Sequence, residues 1–215
     1  STLEEALPEE PQRRALASLL DSDQIARLAT GRASELDPAH NPFGDPVELA
    51  PLRERAGHKP LRIAVDPQSP TALAAAHTIV DVLQSKAIDA TVVTERLTTI
   101  TADLLPAGKV DAVVAWDDNG MDSLSMANYF TCVTPGSPAA KLNGFCPEHA
   151  EETAADILDG TLDSAAARDK VHQLNSEQVL FVPLLNEVRI HALGKGIVGP
   201  GQSITDWDSG LVSAP

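Results

Sequence analysis

Between Leu61 and Ala115 the chain alternates short β-branched runs with helix-patterned ones, and this alternation restricts the fold more than any other feature. LRIAV, Leu61 to Val65, reads as a strand, and DPQSP turns the chain. Thr71 to Lys86 carries Leu73, Ala76, Val80 and Leu83 at helical spacing. ATVVT, Ala90 to Thr94, is expected as a second strand, Thr99 to Leu105 as a short helix, and VDAVVA, Val110 to Ala115, as a third strand. Strands separated by helices pair in parallel through right-handed crossovers. The expected fold class is therefore α/β: a mixed sheet with a parallel βαβ core flanked by helices.

The flanks are less regular. Residues 11–31 read as two short helices, the first opened by Pro11 and striped by Leu16, Leu19 and Leu20, the second stopped at Gly31. From Arg32 to Lys59 the chain reads as loop, because Pro38, Pro42, Pro46 and Pro51 oppose long regular elements. Pro147 to Leu158 and Ser164 to about Gln178 read as helices, with Asp163 placed to cap the second. VLFVPLL, Val179 to Leu185, reads as a strand at an edge or bend because of Pro183, and VRIHAL, Val188 to Leu193, as another short strand. The Gly- and Ser-rich tail, Gly194 to Pro215, is expected to wrap the surface irregularly. Residues 1–58 thus form a helical entry and loop, and residues 59–215 an α/β core with its C-terminal wrap.

With 31 acidic and 16 basic residues the net charge is −15, which argues against nucleic acid as a partner, since phosphate binding needs clustered Lys and Arg. No apolar run approaches the ~18 residues of a membrane span. The two cysteines, Cys132 and Cys146, bracket a loop rich in Pro, Gly and Ser. A crosslink there would contribute on the order of 3 kcal/mol and suits an exported protein, so a Cys132–Cys146 disulfide is expected. Cys146-x-x-His149 alone lacks the ligands of a zinc site, and no metal or cofactor is expected. The six histidines are dispersed, no nucleophile–base constellation can be assembled, and GKGIVGPG, Gly194 to Gly201, has a phosphate loop's glycines without its strand and helix. An enzyme is not expected.

The candidate site is VVAWDDNGMDS, Val113 to Ser123. It leaves the carboxyl end of the third predicted strand, the rim at which open α/β sheets bind ligands. Trp116 offers a flat apolar face, Asp117 and Asp118 can hold a cation, and Asn119-Gly120 supplies a tight turn. The plainer reading of the same residues is an acidic surface loop with Trp116 packed inward.

The order of these pieces resembles the C-terminal lobe of extracytoplasmic solute-binding proteins of the peptide/nickel ABC-transporter class (family 5). RRALASLLDSDQIA, Arg13 to Ala26, is similar to that family's entry helices, and LPAGKVDAVVAW to its glycine–aspartate approach to a tryptophan. The stretch NGFCPEHAEETAADILDGTLDSAAARDKVHQLNSEQVLFVPLLNEVRIHAL is similar to its ending, with Trp207 in the place of the last apolar anchor. The resemblance implies a type II periplasmic-binding-protein-like lobe, with residues 1–215 forming one lobe of a larger two-lobed receptor. It also implies an oligopeptide-like solute, an ABC permease as partner, an extracytoplasmic location and a lipid anchor outside this chain. In that family an Asp three residues after the tryptophan binds a peptide's amino group. Here Asn119 stands at that spacing, and a one-residue deletion would match Asp118 to it instead. A divergent mycobacterial branch of the fold, tied to mannolipid and lipoarabinomannan assembly, supplies the alternative. That alternative is a regulatory lipoprotein that binds a glycolipid head group or an envelope enzyme, and the Ala- and Asp-rich composition fits an actinobacterial source.

Overall fold

A computed structural model describes residues 7–29, 36–116, 123–132 and 148–187, together with the backbone of two short strands at 197–198 and 212–213. The first helix, α1 (Glu10–Ser18), has Pro11 in its opening turn, where the missing N–H has no partner to lose. Helix α2 (Ser22–Ala29) follows, with the Asp21 carboxylate accepting the Gln24 N–H at 3.0 Å. Strand β1 (Leu36–Pro38) and helix α3 (Ala50–His58) occupy the stretch expected to be loop. Pro51 lies in the first turn of α3, so it starts that helix instead of breaking it, and Leu52 and Ala56, one turn apart, are buried beneath it.

The α/β alternation is as read from the sequence. Strand β2 (Leu61–Val65) leads to α4 (Pro70–Ser85), β3 (Ala90–Thr94), a helical turn α5 (Leu97–Thr99) that widens into a π-helical turn over Ile100–Leu104, and β4 (Ala112–Val114). The sheet is parallel in the order β3-β2-β4, with Ile63 level with Val92 on one side and Ala112 on the other. Alternation assigns the faces. Leu61, Ile63 and Val65 pack with Ala72, Ala76, Ile79 and Leu83 of α4, while Ala64 packs with Ile100 and Val110 opposite. The helical connections therefore lie on opposite faces, as two right-handed crossovers running in opposite directions require. Each fully buried Leu or Ile here contributes roughly 2 kcal/mol.

At the amino-terminal end of the sheet a buried carboxylate ties the strands together. Asp111, whose side chain has no solvent exposure, accepts the Arg62 backbone N–H and its Nε at 2.9 Å each, and Nη2 of Arg55 at 2.6 Å. Arg62 also donates to the Gly108 carbonyl at 2.8 Å. The glycine–aspartate pair just before β4 is thus a structural clamp between α3, β2 and β4, at the end of the sheet away from Trp116.

A second cluster joins α6 (Ser123–Asn128), which the sequence reading did not anticipate, to α7 (Ala150–Leu158) and α8 (Ser164–Gln178) through Met126, Phe130, Ile157, Ala167 and Val171. The Asp163 carboxylate caps α8 at the Ala166 N–H, 2.8 Å away, as expected. Two arginines of α1 then fasten the far end of α8: Arg13 Nε donates to the Gln178 carbonyl at 2.6 Å and Arg14 to that of Ser176 at 2.9 Å. Cations there satisfy carbonyls that have no partner within the helix.

The strand expected over Val179–Leu185 does not form; only β5 (Leu185–Glu187) does, antiparallel to β1. Buried Asn175 takes the backbone groups a strand would need. Its Oδ1 accepts the Leu180 and Phe181 N–H at 2.9 and 3.0 Å, and its Nδ2 donates to the Phe181 carbonyl at 3.0 Å. Val179 ends α8 in the left-handed region at φ 51°, and Pro183 has no N–H to donate. Strands β6 (Ile197–Val198) and β7 (Val212–Ser213) pair antiparallel within the C-terminal segment. The expected strand over 188–193 lies outside the described residues.

Candidate functional site

Because β2 is central, the chain leaves it toward β3 through α4 on one face and reaches β4 by way of the other. The connections that leave the carboxyl ends of β2 and β3 go to opposite faces, and the carboxyl edge is where open α/β sheets bind ligands. A pocket of about 220 Å³ lies there. Its walls are Val114, Ala115 and Trp116 from the end of β4, Asp66, Gln68 and Ser69 from the turn after β2, Ala72 of α4 and Leu97 of α5. A second, more polar pocket of about 360 Å³ is lined by Asp66, Gln68, Arg96, Leu97 and Thr98. The two share Asp66, Gln68 and Leu97.

Trp116 is where the sequence pointed, and it is 40% exposed, so it is not packed into the core. The other members of the expected site, Asp117, Asp118, Asn119 and Gly120, lie outside the described residues. So does Cys146. Cys132, half-buried against the second cluster, is not a free thiol.

Asp66 was not singled out by the sequence reading. The turn that holds it follows from Asp-Pro-Gln-Ser: Pro67 pre-sets the backbone, the Ser69 N–H bonds the Asp66 carbonyl at 3.1 Å, and the Gln68 N–H bonds Asp66 Oδ1 at 2.9 Å. Oδ2 accepts the Leu97 N–H at 2.9 Å and so fixes the start of α5. These two backbone donors, Leu97 foremost, hold the carboxyl below the usual carboxylate range; partial burial opposes them, and the Arg96 charge adds a smaller lowering. A signal was present in the sequence. Asp66 is the first residue beyond a parallel strand, so the rim argument that selected Trp116 applied to it equally.

Among the described residues no group of three or more His, Cys, Asp or Glu is arranged to hold a metal ion, and no helix is long and apolar enough to cross a membrane. The site is a largely apolar recess lined by Trp116 and bordered by the Asp66 carboxylate.

No protein-family model matches the chain, and no curated protein matches it. Solved structures do. The periplasmic murein tripeptide-binding protein MppA, in its unliganded open form, superposes with a TM-score of 0.63 at 15% identity, over 93% of this chain and 43% of its own. A substrate-binding protein from Microbacterium hydrocarbonoxydans, complexed with 4-hydroxybenzoate hydrazide, gives 0.61 at 20% identity, over 90% and 44%. The ABC-transporter substrate-binding protein CtaP from Listeria monocytogenes gives 0.60 at 18%, over 85% and 41%. The fold is that of substrate-binding proteins, none of the three being an enzyme by name. The chain spans less than half the length of these structures.

Proposed function

We propose that this chain is the C-terminal, ligand-binding lobe of an exported two-lobed solute receptor that delivers an oligopeptide-like substrate to an ABC transporter. The observation that carries this reading is the pocket at the carboxyl edge of β2 and β4, with Trp116 as an exposed wall. The likeness to substrate-binding proteins supports it, since MppA is by name a tripeptide binder. In this reading Trp116, Asp117 and Asp118 contact the solute, and Asn119-Gly120 turns the loop that carries the two aspartates. A second lobe forms the opposite wall, and closure of the two traps the solute. A Cys132–Cys146 crosslink stiffens the following loop, and a lipid anchor outside this chain holds the receptor at the cell surface or in the periplasm.

Calorimetric titration of the two-lobed parent with di- to pentapeptides tests this. Binding that Trp116→Ala weakens and Asp118→Ala abolishes is the expected result. Absence of peptide affinity at millimolar concentration overturns the peptide-receptor reading. Binding of a mannolipid head group in its place would instead favour a regulatory lipoprotein of the LpqW type.

A further inference from the structure

Besides Asp66, Gln68 and Ser69, the 220 Å³ pocket is lined by Ala72, Leu97, Val114, Ala115 and Trp116, a largely apolar set suited to a compact apolar group. Asp66 stands where this recess meets the polar pocket of Arg96 and Thr98, so one carboxylate borders both spaces. That carboxylate is ionised, and two of its roughly four lone-pair sites are taken, by the Gln68 and Leu97 amides. Among the described residues no Lys, Arg or His comes within salt-bridge distance of it; Asp111, by contrast, has Arg55 and Arg62 in contact. An ionised carboxylate with spare acceptor sites, bordering a largely apolar recess, suits a cationic donor attached to an apolar body.

We propose that Asp66 is a specificity-determining residue of this pocket: it receives an ammonium group of the solute while the adjoining apolar group lies against Trp116 and Val114. The proposal rests on the solute-receptor reading, but it assigns the cation to the β2 edge, independently of the loop that follows Trp116. The recess then takes a compact side chain of leucine size, and the Arg96 side accepts the carbonyl or carboxylate that follows the amine.

The test compares L-leucinamide, a cation with an isobutyl group, with its uncharged counterpart N-acetyl-L-leucinamide. Each is titrated into the ¹⁵N-labelled chain while the Trp116 indole resonance is followed, assigned through Trp116→Phe. Leucinamide should shift this resonance in the low-millimolar range. N-acetylation should weaken binding about tenfold or more, the effect of losing one hydrogen bond to a charged group. Asp66→Asn should remove the difference between the two probes, with its thermal unfolding transition recorded to establish that it folds; the acetylated arm needs no variant. Equal binding of both probes, lost in Trp116→Ala but unchanged in Asp66→Asn, overturns the role of Asp66 and leaves the solute pocket standing. No shift with either probe overturns the proposal too, while the receptor reading is then decided by the peptide titration of the two-lobed parent.

Discussion

Asp111→Ala should destabilise the chain by about 3 kcal/mol, the lower end of what removing one partner of a buried ion pair costs. Two guanidinium groups would lose their counter-charge. Arg62 and Arg55 keep only 14% and 18% of their side-chain surface exposed, so water replaces Asp111 poorly, though not negligibly. The backbone N–H of Arg62, bonded to Oδ2 at 2.9 Å, also loses its acceptor next to the start of the central strand. Residual hydration of both arginines keeps the figure at the lower end. In urea unfolding followed by circular dichroism, with an m-value of about 2 kcal/mol/M, the midpoint should fall by roughly 1.5 M. The Arg55→Ala/Asp111→Ala double-mutant cycle should show a coupling of about 1–2 kcal/mol that moderate salt barely changes. A midpoint shift below about 0.5 M, or a coupling that salt erases, would refute the argument that a desolvated clamp holds the amino end of the sheet.

Asn175→Ala should cost about 2–3 kcal/mol, because it strands the Leu180 and Phe181 amides and the Phe181 carbonyl together; thermal unfolding measures it, and a loss within error would mean that water replaces all three bonds. Asp66 and Asp159 both titrate below the ordinary 3.8, each held down first by backbone N–H donors, those of Leu97 and Gln68 on Asp66 and that of Thr161 on Asp159. A depressed carboxyl binds fewer protons folded than unfolded, so its stabilisation is complete above 3.8 and is lost as pH falls through the lower folded value. Asp66→Asn should therefore flatten the acid limb of the stability–pH curve below 3.8, and an unchanged slope there would contradict the two Asp66 hydrogen bonds.

What was legible in the sequence was governed by local repetition. The β2–α4–β3 unit, the cap of α8 at Asp163 and the placement of Trp116 on a strand-end rim all follow from periodicity and short-range hydrogen bonding. Helix α3 was hidden because a proline in a first turn and a proline that breaks a helix look alike in a list of residues. Val179 to Leu184 looked like a strand because apolar content alone cannot reveal that Asn175 claims its amides.

The sequence by itself determined an α/β core with a tryptophan delivered to its carboxyl edge. Tertiary structure decided that β2 is central, which sets α4 and α5 on opposite faces and opens the pocket between the ends of β2 and β4. It also gave two aspartates, each next to a strand of one sheet, opposite tasks. Asp111 is enclosed by two arginines at the amino end, and Asp66 keeps acceptor sites free at the carboxyl end. The physical reason is that a carboxylate's role depends on which donors surround it, and those donors come from Arg55 and Leu97, distant residues that only the folded chain brings within reach.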